Sequence, residues 1–99
     1  MPDFYQIDTT VHGPIRLGIL CALKINNEMD FTSLKKKLNA SDGALGTHLQ
    51  KLEDASLIST KKEFIGKRPR SSYKITKTGA ASLTKYLDNM QKIIDSIEY

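Results

Sequence analysis

The sequence predicts a mainly α fold with one small β-hairpin, and three observations carry that expectation. Apolar residues recur at helical spacing in four separate segments, two strand-like runs flank Gly66, and the C-terminal segment steps in heptads. The chain has the length of one compact domain, 99 residues. Its balance of 39% hydrophobic and 26% charged residues suits a modest core, without repeats or low-complexity stretches.

Met1 to Val11 holds Phe4, Tyr5 and Ile7 and reads as a short helix, either covering the core or packing on a partner. Pro14 suits the first turn of the next helix, where its missing N–H costs nothing. Ile15, Ile19, Leu20 and Leu23, with Leu17 and Cys21 beside them, then keep helical spacing until Asn26-Asn27. In "MDFTSLKKKLNAS" Thr32 is the expected N-cap of a two-turn helix, with Leu34 and Leu38 on one side and Lys35, Lys36 and Lys37 outward. Asn39-Ala40 breaks that helix and Ser41 opens a third, about 42–55, with Asp42 near its positive end and Leu45, Leu49 and Leu52 inward.

The outward face of this third helix carries Gly43, Ala44, Gly46, Thr47, Gln50 and Lys51. Two glycines so early in a helix cost about 1 kcal/mol each relative to Ala. Two explanations stay open: a tight crossing with the second helix, or close approach to a nucleic-acid backbone or groove.

Ile58 to Ile65 and Ser71 to Ile75 read as strands, the second with Tyr73 and Ile75 on one face. Lys62 falls on the same side as Ile58 and Phe64, which suggests a shifted or bulged edge. Gly66, Lys67, Arg68, Pro69 and Arg70 form the expected tip, with Pro69 in a loop where no ladder donor is needed. Thr76 can cap a final helix, 77–99, whose residues Ala80, Leu83, Leu87, Met90, Ile94 and Ile97 step by threes and fours, widened by Tyr86 and Ile93. A helix of about 20 residues is about 30 Å long, against a radius of about 13 Å for a domain of this size. Its far half should overhang, and a second copy of the same helix is the economical partner.

Charge is unevenly placed. Lys61 to Lys77 holds seven cations against Glu63 alone, a balance of +6 that leaves −2 for the other 82 residues of a +4 chain. Clustered cations of this kind suit a polyanion. Other functions lack their residues. Cys21 is the single cysteine, expected as a small buried apolar residue, and His12 and His48 lie 36 positions apart with no acidic cluster at metal spacing. No phosphate loop, paired carboxylate array or distinctive nucleophile–His spacing argues for an enzyme, and no cofactor or metal is expected. No run reaches the length of a membrane helix and no leader pattern opens the chain, so the expected location is cytoplasmic.

Helix, helix, helix, hairpin, helix is the order of a winged helix-turn-helix: a three-helix core, a β-wing and a long C-terminal helix. "SDGALGTHLQKLEDASLI" followed by "KKEFIGKRPRSSYKITKTGAASLTKYL" resembles the MarR-like winged-helix transcriptional regulators, in their short single-domain form. The resemblance rests on Ser41, Leu45, His48-Leu49, Lys51-Leu52-Glu53, Tyr73, Ile75, Thr76 and Gly79, is joined by "RLGILCAL", and spans about 14–87.

It implies a single domain, 1–99, that binds double-stranded DNA sequence-specifically, and the heptad seam separately predicts that it does so as a homodimer. The recognition helix would present Ser41, Gly43, Ala44, Thr47, His48, Gln50 and Lys51, and a basic wing, 65–71, would grip through Lys67, Arg68 and Arg70 with Lys62 and Lys74 nearby. Leu83, Leu87, Met90, Ile94 and Ile97 would form the dimer interface. Where family members often carry longer hydrogen-bonding side chains, this chain has Ala44, Gly46 and Thr47, which weakens the expected base readout. Larger relatives bind small phenolic ligands, for which this length leaves little material, so an effector stays open. Two other readings stand beside this one: a non-specific architectural DNA binder, and a winged-helix protein-interaction module of a transcription complex.

Overall fold

Pro14 begins the first helix, α1 (Pro14–Asn26), at the position where a missing N–H is free of cost. The computed structural model describes residues 7–97, so the expectation for Phe4 and Tyr5 lies outside the described residues. Ile19, Leu20, Ala22 and Leu23 of α1 are buried, and Asn27, at φ 66°, turns the chain out of the helix.

A short strand not expected from the sequence follows, β1 (Glu28–Asp30). Its last residue doubles as the cap of α2 (Phe31–Leu38): Asp30 Oδ1 accepts the Ser33 N–H at 2.8 Å. Pairing in β1 holds Asp30 extended, so the cap lies two residues ahead of the expected one, Thr32, which sits inside the helix. The Ser33 backbone N–H, then the Ser33 side chain and Arg70, hold the Asp30 carboxyl below its ordinary value. The sign follows: this cap is fully stabilising above the ordinary carboxylate range and is lost as pH falls through the lowered value.

Both helices of the helix-turn-helix end alike. Asn39, at φ 50°, lets its own N–H reach Lys36 O and the Ala40 N–H reach Lys35 O. Ser41 then caps α3 (Asp42–Asp54), its Oγ accepting from the Ala44 N–H at 3.2 Å, and Lys35 pairs with Asp42 at 2.8 Å. After α3, Ser56 at φ 61° repeats the pattern, with bonds from Ser56 to Glu53 and from Leu57 to Leu52. These are paired Schellman closures, and the buried Leu52 and Leu57 make the apolar pair that usually accompanies one.

The hairpin is longer and tighter than expected. β2 (Ile58–Ile65) pairs with β3 (Arg68–Ile75) without interruption from Ile58↔Ile75 to Ile65↔Arg68. Only Gly66 and Lys67 remain between the strands, with Gly66 at φ 66°, as at the first position of a type II′ turn. The loop expected over 66–70 is thus mostly strand. Pro69 is accommodated because β1, on the other side of β3, reaches only Ser72 and leaves the outer edge at Pro69 free. The expected bulge at Lys62 is absent: the hairpin has outrun the core there, and both faces meet solvent. The sheet order is β1-β3-β2.

Thr76 joins the sheet to α4 (Lys77–Ser96): its Oγ1 accepts from the Gly79 N–H at 2.9 Å and donates to Ser56 O at 2.7 Å. The core gathers Ile19, Leu20 and Leu23 from α1, Leu34 from α2, Leu45 and Leu52 from α3, Ile58 and Tyr73 from the sheet, and Leu83 and Tyr86 from α4. Wing and final helix stretch the molecule to 56 × 25 × 21 Å, with a radius of gyration of 15.0 Å. That exceeds the about 13 Å of a compact chain this long. No helix among the described residues is long and apolar enough to cross a membrane.

Candidate nucleic-acid interface

Leu45, Leu49 and Leu52 turn one side of α3 into the core, which leaves Gly43, Thr47, Gln50 and Lys51 exposed on the other, with Ala44 and Gly46 half-buried between. A Cβ built on Gly43 or Gly46 would meet nothing within 4 Å. The tight helix crossing is therefore not what these glycines serve; the space before them is open. Ser41 sits at the head of this face as the cap, and Gln50 donates to Asp54 at 2.8 Å along the helix.

His48 belongs less to the open face than its place in the sequence suggests. It is half-buried, and its Nδ1 and the Nε of Arg16 on α1 are both buried without hydrogen-bond partners among the described residues. Burial, then the charges of Arg16 and Lys51, hold its imidazole below the ordinary value, so it is neutral near pH 7. The sequence does not mark Arg16, because no spacing along one helix reveals a neighbour on another.

Gly43→Ala and Gly46→Ala give a prediction with two readouts. Neither Cβ meets an obstacle, so each should stabilise the free protein by about 0.5–1 kcal/mol in denaturant melts. If nucleic acid approaches this face closely, the same variants should bind duplex DNA more weakly. A gain in both stability and affinity would show that the glycines are not an approach surface.

On the wing, Lys62, Lys67 and Arg68 are exposed and make no ion pair among the described residues. Lys61 meets Glu63 at 3.5 Å, and Arg70 Nε meets Asp30 Oδ2 at 3.5 Å, so Arg70 is partly engaged at the wing's base. Lys74 does not join the tip. It lies six positions along β3 from Arg68, about 20 Å at strand rise, beside Ser59 and Glu28.

The heptad seam of α4 divides in two. Leu83 is buried in the domain's own core and Met90 packs against it, whereas Leu87, Ile94 and Ile97 are 46%, 47% and 66% exposed. A separate open groove of about 850 Å³ runs between the turn at Asp8 and α4, lined by Ala81, Lys85, Asn89 and Lys92. Beside it His12 Nδ1 and Tyr86 Oη lie 2.8 Å apart and tie the N-terminal turn to α4.

The same fold recurs in known proteins. Residues 15–94 match the family model of the winged helix DNA-binding domain, and the chain belongs to that family. It is 36% identical over 84 residues to an uncharacterized protein of Methanocaldococcus jannaschii, covering 85% of this chain and 91% of that one. The structure of a transcriptional regulator homologue from Pyrococcus horikoshii OT3 is similar at a TM-score of 0.83 and 30% identity, over 91% of this chain and 89% of that chain. A transcriptional regulator of the MarR family from Enterococcus faecalis V583 shares the fold at a TM-score of 0.72 and 21% identity, over 90% and 79% of the two chains. The fold is a winged helix-turn-helix, shared with that transcriptional regulator homologue from Pyrococcus horikoshii OT3.

Proposed function

We propose that the protein is a homodimeric transcriptional regulator that binds double-stranded DNA sequence-specifically, with α3 in the major groove and the wing on minor-groove phosphates. The observation that carries this reading is the unobstructed polar face of α3, open before Gly43 and Gly46. Ser41, Thr47 and Gln50 would hydrogen-bond base edges or backbone, with neutral His48 at the edge of the face, and Lys51 would meet a phosphate. Lys62, Lys67 and Arg68 supply the wing's free charge, and Arg70 must share or leave Asp30 to reach a phosphate. The single domain would span 1–99, with 77–99 as its dimerisation helix. Leu87, Ile94 and Ile97 fit that role, Met90 lies at its edge, and Leu83 supports α4 from the core. Two recognition helices would then enter successive major grooves about 34–36 Å apart. Such a protein would act in the cytoplasm.

The small residues at positions 43, 44 and 46 favour one second reading, a non-specific architectural binder. Competition with random duplex separates the two, because a regulator keeps a specificity ratio of at least about 10³.

The wing's part is tested by the triple variant Lys67→Ala, Arg68→Ala, Arg70→Ala. Each phosphate that is no longer neutralised should flatten the slope of log affinity against log salt by about 0.9. A slope equal to that of the wild type would remove the wing from the interface.

A further inference from the structure

The wing tip carries apolar surface that phosphate binding does not use. Phe64 is 73% exposed and Ile65 55% exposed, at the end of a hairpin closed by a two-residue turn. The register sets Phe64 directly opposite Pro69, so the two rings share one face of the ribbon. Lys62 lies two residues back on that face, and Lys67 and Arg68 follow at the turn. Contiguous apolar surface at an exposed strand end marks an interaction site or an aggregation liability, and Phe64 with Pro69 makes such a surface.

Charge on both sides of an apolar centre matches the section of a DNA groove, where two rows of phosphate flank stacked bases. The undistorted minor groove is about 6 Å wide, while the backbones of the ribbon's strands are themselves about 4.7–4.9 Å apart. The whole ribbon cannot descend there, but a side chain at its tip can. We infer that Phe64, backed by Pro69, is a wedge that enters a base step from the minor groove and kinks the bound duplex. Pyrimidine–purine steps, which unstack most easily, are its target. This inference rests on the reading that the wing lies on DNA. A surface of anionic lipid would also accept cations around an aromatic ring; the open face of α3 beside the wing favours DNA.

The test uses the full chain and a duplex of about 30 bp, end-labelled for energy transfer, with 2-aminopurine at a central TA step. At saturation the wild type should bend it by about 20–90° and raise the 2-aminopurine fluorescence as the step unstacks. Phe64→Ala should give a straight complex with fluorescence at the free-duplex level. Its Kd should rise less than about tenfold, because the cost of the bend disappears with the contacts that offset it. Phe64→Leu should restore the bend, and Lys67→Ala with Arg68→Ala should weaken binding yet keep the bend at saturation. A Phe64→Ala complex as bent as the wild type, or a straight wild-type complex, overturns the wedge while leaving the wing on DNA. Failure of the wild type to bind duplex at all brings down the DNA reading and the wedge with it. Loss of binding to vesicles of anionic phospholipid in Phe64→Ala, with DNA bending unchanged, assigns the tip to lipid and overturns the wedge.

Discussion

Leu87→Asp combined with Ile94→Asp should leave a folded monomer whose affinity for a two-half-site duplex is lower by about 10²–10⁴, the contribution of linking two binding events. Leu87 and Ile94 are seven positions apart, two turns along α4, and both are about half exposed. Neither holds the domain together, so substitution should leave the fold within about 0.5 kcal/mol of the wild type. Facing a second copy, the same positions would bury unpaired carboxylates, which an apolar seam cannot accommodate. Sedimentation at micromolar concentration, with circular dichroism to verify folding, reads the effect. A wild type that is itself monomeric there, or a double variant that remains dimeric, contradicts this interface.

Gly79→Ala should destabilise the domain by about 3 kcal/mol in urea or thermal unfolding. A Cβ on Gly79 would lie inside the contact distance of the Leu57 carbonyl oxygen, and that oxygen is fixed because it accepts the Thr76 N–H at 3.0 Å. Neighbouring Thr76 Oγ1 is held between Ser56 O and the Gly79 N–H, so neither partner can give way without losing bonds. The same chemical change at Gly46 should have the opposite sign, since its surroundings are empty. A Gly79→Ala variant as stable as the wild type would mean that α4 and the Ser56-Leu57 turn are not locked together.

Much of this fold is legible in sequence where the signal is local. Pro14, Ser41 and Thr76 announce their helix starts, and the leucines at 45, 49 and 52 correctly place the inward side of α3. β1 is not legible because three residues cannot display alternation; Glu28, Met29 and Asp30 become a strand only by pairing with Lys74, Tyr73 and Ser72. Without β1, Asp30 cannot be recognised as the α2 cap, nor as the partner that occupies Arg70. Pro69 reads as loop because it lacks a donor, and only the sheet order shows that its edge of β3 needs none.

The candidate site divides in the same way. The cations of the wing could be read from composition, but which of them are free could not, since Asp30 lies 40 positions from Arg70. Heptad stepping identified α4 as amphipathic, yet two apolar stripes side by side have the same period. Only packing separates Leu83 and Met90, which support the domain, from Leu87, Ile94 and Ile97, which are left over. The two glycines of α3 are ambiguous in sequence for a related reason: a tight crossing and an open approach surface demand the same residue.

Whether the protein reads sequence as a dimer is decided by selecting bound duplexes from a random pool with the full chain. A two-fold-related sequence should be enriched, its half-site centres about 10–10.5 bp apart or a multiple of that, bound at least about 10³-fold more tightly than random duplex. A pool that stays random through successive rounds, with all duplexes held equally, would contradict dimeric readout and leave a winged-helix protein that grips DNA without reading it.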